Sequence, residues 1–184
     1  SKAMLESAKK FASVKDLKAF GVDGIDADNI SFNWKNAKKR YTRIVRRLTK
    51  GVEFLLKKNG VEIIKGEAEI ISPTTIKAND QIFETKNIIV ATGSRPSNLE
   101  YSLPDEMVIS IFDLVNSDNL PENPVVIGSN AHALELAQFF HLIGRKSALV
   151  ITEGELLPDV DSYLSDYAIK SFAKSGLTVF SAPK

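Results

Sequence analysis

Beyond Pro124 the apolar pattern switches repeatedly between two periods, and that alternation leaves few folds open. Val125–Ile127, Ser147–Ile151 and Leu177–Ser181 are short apolar runs of strand length, whereas Ala131–Ile143 and Asp161–Ser175 carry apolar residues at helical spacing. A β-α-β-α-β order joins parallel strands through right-handed helical crossovers, so an α/β architecture with a parallel sheet is expected. Such a sheet normally has more than three strands, and the chain is therefore expected to be a piece of something longer. Pro121 and Pro124 punctuate the approach to this region, placing a domain border near Asn119–Asn123 and dividing the chain into residues 1–120 and 121–184.

The first part reads differently. Lys2–Phe11 has Met4, Leu5, Ala8 and Phe11 at helical spacing. Ala12–Ile30 is irregular, with Gly21, Gly24 and several aspartates marking turns. Trp34–Lys58 is a long amphipathic helix, its apolar residues stepping by three and four from Ala37 to Leu56, and Asn59-Gly60 caps its end. The period then becomes two. Val61–Ile71, Thr74–Lys77 and Gln81–Thr85 predict a small antiparallel meander with a turn at Asn79-Asp80. It leads to Asn87–Pro96, where Ile88–Ala91 predicts a strand buried on both faces that stops at Thr92-Gly93-Ser94. Small residues at the carboxyl end of a strand let a ligand approach backbone amides, which is where ligands sit in open α/β sheets. Ser97–Leu120 is a connector with one predicted helix, Phe112–Asn116.

Composition removes several classes of function. The 184 residues include no cysteine and two histidines, His132 and His141, which argues against disulfides, thiolate chemistry and a zinc site. A net charge of +1 gives no case for a nucleic-acid partner, and no apolar run approaches the roughly 20 residues a membrane helix needs. The chain opens on Ser1 inside a helical pattern, a second reason to expect a cut start.

Val125–Glu135 lies between a strand and a helix, the place where a G-x-G-x-x-G turn sets a pyrophosphate on a helix N-terminus. The three glycine positions are occupied by Gly128, Asn130 and Ala133. Gly128 can make the tight turn and Ala133 is an accepted variant for close helix–strand packing. Asn130 tolerates a left-handed backbone, but its Cβ and amide occupy space the phosphate needs. The acid that usually holds a ribose comes about 20 residues later. Ile151 stands at that place, with Glu153 two residues on. Two readings stay open: a working NAD turn, or a structural strand-turn-helix that no longer binds a nucleotide well.

Ser1-Lys2-Ala3-Met4-Leu5, Leu48–Glu53, Gly66-Glu67-Ala68, Ala91–Pro96 and Val125–Ala137 occur in one order with familiar spacings. Together they resemble the flavoprotein disulfide reductases, the class I pyridine nucleotide-disulfide oxidoreductases, and among them the dihydrolipoyl dehydrogenase family. The resemblance implies a partial FAD-binding domain of helices and meander, residues 1–120, followed by the first part of a Rossmann-like NAD-binding domain, residues 121–184. It implies that the chain begins just after a Cys-x4-Cys redox pair and ends before the domain that carries a catalytic His-Glu pair; His132 and His141 do not match that histidine. No catalytic residue is therefore expected in the chain itself.

The family places Lys2 near flavin N5 and pairs it with Glu135, brings the backbone at Ala68 to the FAD adenine, and packs Thr92, Gly93 and Ser94 against FAD. Gly128, Ser129, Asn130, Ala133 and Glu135 fall on the NAD side. The implied activity is oxidation of dihydrolipoyl groups through a redox disulfide and FAD, with electrons passed to NAD+. The implied partners are lipoyl-bearing 2-oxoacid dehydrogenase complexes and a second copy in a homodimer, in the cytoplasm. Rival readings are a divergent non-catalytic scaffold without cofactor, or a reductase of the glutathione or mercuric type. Loss of neighbouring strands would expose apolar surface, so self-association is expected.

Overall fold

The computed structural model describes residues 1–96, 103–152 and 154–181. Five α-helices and six strands form among them: α1 Lys2–Ser13, α2 Trp34–Lys58, β1 Ala68–Ser72, β2 Thr75–Ala78, β3 Gln81–Glu84, α3 Ile111–Asn116, β4 Val125–Ile127, α4 Ala131–Leu142, β5 Ala148–Ile151, α5 Ser162–Lys174 and β6 Thr178–Ser181. The mixed α/β architecture matches the sequence reading, with one antiparallel and one parallel three-stranded sheet. The stretch read as irregular, Ala12–Ile30, contains two 3-10 segments, Val14–Phe20 and Ala27–Asn29.

The chain divides into two compact units, Ser1–Ile44 with Asp105–Lys184, and Val45–Pro104. In the first, β4, β5 and β6 are parallel in that order, with Val126 beside Leu149 and Val179, and Ile127 beside Val150 and Phe180. Val126, Leu149 and Ile151 are buried, while Val125, Ile127 and Phe180 on the alternate positions are exposed. Parallel sheets are usually covered on both faces; the described residues cover this one on a single face.

All of the chain's described buried apolar residues belong to this unit. Met4, Leu5 and Ala8 bury the inner stripe of α1, which packs along α4. Phe139, with no exposed surface, sits at the centre. Its ring meets those of Phe32, Trp34 and Phe140 edge-on at centroid distances of 5.9, 6.0 and 5.3 Å, an arrangement favoured by the ring quadrupoles. Three residues one turn apart on α2 then tie down the exposed carbonyls at the end of α3. Trp34 Nε1 donates to Ser117 O at 3.0 Å, the Lys38 ammonium to Asn116 O at 2.6 Å and Ser117 O at 3.1 Å, and the Tyr41 hydroxyl to Val115 O. A cation at a helix C-terminus is favourable because the last carbonyls carry partial negative charge. Lys38 also pairs with Asp118 at 2.8 Å, and this hydrogen-bonded charge holds the Asp118 carboxyl below its ordinary range. Burial raises the Tyr41 phenol, against the opposing charge of Lys38.

The second unit holds the meander, with Ile70 opposite Ile76 and Ile76 opposite Phe83. The first strand is shorter than expected: Val61–Glu67 has no ladder partner and β1 begins only at Ala68. The reason lies at Gly66. Its φ of 156° is one that L side chains rarely adopt, and a Cβ there would fall 1.9 Å from Asn79 Oδ1. Asn79 itself takes the left-handed φ of 54° that the β2–β3 turn requires, and its Nδ2 donates to Lys65 O at 3.0 Å. Gly66→Ala should therefore displace the Asn79 side chain and cost about 1–3 kcal/mol in denaturant unfolding, while Lys65→Ala should cost far less.

The predicted buried strand Ile88–Ala91 is not formed. Those residues are irregular, with Ile89 91% exposed. A buried strand needs a neighbour on each side for its ladder, and no described strand pairs with these residues. The apolar run is still intact, and Ile70, Ile71, Ile82 and Val90 are exposed too. Surface of this kind drives association. Sedimentation velocity on the isolated chain should show species larger than a monomer; a strictly monomeric profile at all concentrations contradicts this. The connector Ser97–Leu120 lies partly outside the described residues, and its predicted helix appears as α3, starting one residue earlier.

Candidate functional site

The turn between β4 and α4 is built by contacts to both elements. Gly128 follows the carboxyl end of β4, and its N–H donates to Val150 O at 3.0 Å, which holds the turn against β5. Its φ is 146°, and a Cβ at this position would meet the Ala133 Cβ at 3.0 Å. Gly128 and Ala133 are thus the pair of small residues that let the first turn of α4 press on the strand end. Ser129 is buried at 5% exposure. Its Oγ accepts from Thr152 N at 3.2 Å, and its carbonyl accepts from Leu157 N at 2.6 Å, so the segment after β5 is fastened to the turn.

Asn130 does not take the left-handed conformation its residue type allows. It is extended, with φ −93° and ψ 174°, and serves as the N-cap of α4: Oδ1 accepts from Ala133 N at 3.0 Å. The reason is the four N–H groups that a helix start leaves unpaired, of which a capping side chain satisfies one. The Ala131 and His132 amides of the same turn have no intrahelical acceptor. At the end of β5, Ile151 is 1% exposed and supplies no hydroxyl acceptor for a ribose. Glu153 lies outside the described residues. The turn therefore fits a dinucleotide in part: the tight glycine, the close packing and two amides are present, one amide is taken by Asn130, and Ile151 stands where the ribose carboxylate is expected.

The residues expected beside the flavin fall in both units. In the first, Lys2 is exposed at the start of α1. Glu135 accepts a hydrogen bond from Ser1 Oγ at 2.8 Å, and the one ion pair among the described residues is Lys38–Asp118. The neighbour of Lys2, rather than its ammonium, is what meets Glu135; a short hydroxyl at the helix start reaches the carboxylate while the longer side chain stays solvated. In the second unit, Ala68 opens β1 opposite Ala78. Thr92, Gly93 and Ser94 are exposed and irregular. Gly93 has φ 76°, and among the described residues nothing lies within 4 Å of where a Cβ would stand. The expected strand-end setting is not seen there, because the strand before it is not formed.

Sequence reasoning missed the fastening of Ser129 to Thr152 and Leu157, and the Ser1–Glu135 bond. A serine next to the tight glycine, with a threonine at the end of the following strand, is the signal that could have suggested the first. No group of three His, Cys, Asp or Glu side chains could hold a metal ion among the described residues. No helix there is long and apolar enough to cross a membrane.

Residues 1–182 match the family model described as pyridine nucleotide-disulphide oxidoreductase. The chain is 30% identical over 97% of its length to a dihydrolipoyl dehydrogenase of Acholeplasma laidlawii, covering 54% of that protein. It is 33% identical over its full length to a dihydrolipoyl dehydrogenase of Chlorobaculum tepidum and 25% identical to that of Bacillus subtilis, covering 40% and 41% of them. It thus spans between two fifths and just over half of these relatives. With the match running along residues 1–182, the chain belongs to the pyridine nucleotide-disulphide oxidoreductase family.

Proposed function

We propose that the chain is the middle section of a flavoenzyme of the dihydrolipoyl dehydrogenase type, with residues 1–120 the later part of an FAD-binding domain and residues 121–184 the first part of an NAD-binding domain. The whole protein oxidises dihydrolipoyl groups through a redox disulfide and FAD and passes the electrons to NAD+. The observation that carries this reading is the strand–glycine turn–helix at Val125–Ala137, with Gly128 and Ala133 in close approach, inside a chain matched along residues 1–182. Bound FAD supplies the electron and hydride chemistry.

The residues of this chain position and tune. Lys2 offers a cation that favours negative charge on a reduced flavin, and the Ser1–Glu135 bond holds that end of α1 to α4. Gly93, where no described side chain lies within 4 Å of a Cβ position, would meet the flavin together with Thr92 and Ser94. Gly128, Ser129, Asn130 and Ala133 form the nucleotide turn. The partners on this reading are lipoyl-bearing 2-oxoacid dehydrogenase complexes and a second copy of the protein, in the cytoplasm, with no nucleic acid and no membrane. The test is an assay of dihydrolipoamide-dependent NAD+ reduction. The intact protein should turn over and the isolated 184 residues, which hold no cysteine, should not; turnover by the isolated chain, or none by the intact protein, defeats the proposal. Asn130 and Ile151 favour a second reading, a non-catalytic relative that has given up its nucleotide.

A further inference from the structure

We infer that Asn130 sets the nucleotide affinity of this chain by acting as an internal substitute for a phosphate oxygen. The inference rests on the nucleotide turn assigned above. A pyrophosphate binds at a helix start through first-turn amides and the positive end of the helix dipole. Here the carboxamide oxygen of Asn130 already accepts from Ala133 N at 3.0 Å. The turn is fastened around this bond, so the Ala133 amide has no second place for an acceptor. Gly128 N is held by Val150 O at 3.0 Å, and Ser129 is held on both its hydroxyl and its carbonyl by Thr152 N and Leu157 N. Ala133 lies 3.0 Å from where a Gly128 Cβ would stand, so the first turn of α4 is packed close to the strand end. The Ala131 and His132 amides stay open to an anion, but a phosphate that also takes the Ala133 amide enters by exchange: the exposed Asn130 side chain rotates out into solvent and a phosphate oxygen takes its place.

An N-cap side chain is worth enough that losing it on binding weakens affinity by about three- to thirty-fold. Glycine at the same position is a tolerated N-cap and has nothing to displace. Aspartate would hold the same amide with a full negative charge facing the phosphates.

The test titrates the isolated chain and its Asn130→Gly and Asn130→Asp variants with NADH by calorimetry, and follows hydrogen exchange at the Ala133 amide with and without NADH. Circular dichroism confirms that the variants keep their helices. The expected result is tighter binding by about three- to thirty-fold for Asn130→Gly, weaker binding for Asn130→Asp, and in the free state faster Ala133 exchange in Asn130→Gly than in the unsubstituted chain. Equal affinity of the unsubstituted chain and Asn130→Gly overturns the inference and leaves the nucleotide turn standing. No binding by any of the three, with Ala133 exchange unchanged by NADH, overturns the inference together with the nucleotide reading beneath it.

Discussion

Phe139→Ala should cost about 3–5 kcal/mol in denaturant unfolding of the unit formed by residues 1–44 and 105–184. The ring is wholly buried and touches Phe32, Trp34 and Phe140, so truncation loses its transfer free energy and leaves a cavity lined by three other rings. Those rings come from two stretches of chain, Phe32 with Trp34 and α4 itself, and are held by their own elements, so they cannot all collapse into the gap. A domain of this size is held by about 5–15 kcal/mol, so the variant should be largely unfolded at moderate temperature. Phe139→Leu keeps most of the volume and should lose distinctly less. Equal, small losses in both would mean that the aromatic cluster does not organise this core.

Gly128→Ala should also be costly, and it reaches the functional turn. Two penalties add: a φ of 146° that a Cβ disfavours, and a contact of 3.0 Å with the Ala133 Cβ. Strain and overpacking each cost about 1–3 kcal/mol, so a total of roughly 2–6 kcal/mol is expected by thermal or chemical unfolding. Ala133→Gly in the same chain removes the clash but not the backbone strain, and glycine near a helix start costs up to about 1 kcal/mol by itself. The double variant should therefore be more stable than Gly128→Ala alone although Ala133→Gly alone destabilises. Simple additivity of the two would show that the residues do not touch in the way described.

How legible the fold was depended on where the strands found partners. The β4–α4–β5–α5–β6 order could be read because each strand's ladder partner lies within a few dozen residues, and helix α2 because its apolar spacing runs unbroken along its own length although its packing partners are distant in sequence. Ile88–Ala91 has the composition of a central strand, yet it is irregular here, because composition reports a preference for burial and a ladder reports a neighbour. The first strand of the meander is shorter than its pattern for a related reason: the period-two alternation runs from Val61, but Gly66 and the Asn79 side chain that crosses it delay pairing until Ala68.

At the site, the roles of Gly128 and Ala133 were visible as positions in a motif. The conformation of Asn130 was not, since the same residue type suits a left-handed turn and an N-cap, and only the direction of its Oδ1 decides between them. The bond from Ser1 to Glu135 joins residues 134 positions apart and has no sequence signature.

The claim beneath the functional reading is that small residues at Gly93 and Gly128 present bare main chain to cofactors. The most direct measurement is the absorbance spectrum of the purified intact protein. The account predicts a yellow protein with bound-flavin bands that are lost on denaturation and separation; a colourless protein that takes up no FAD on reconstitution would contradict it.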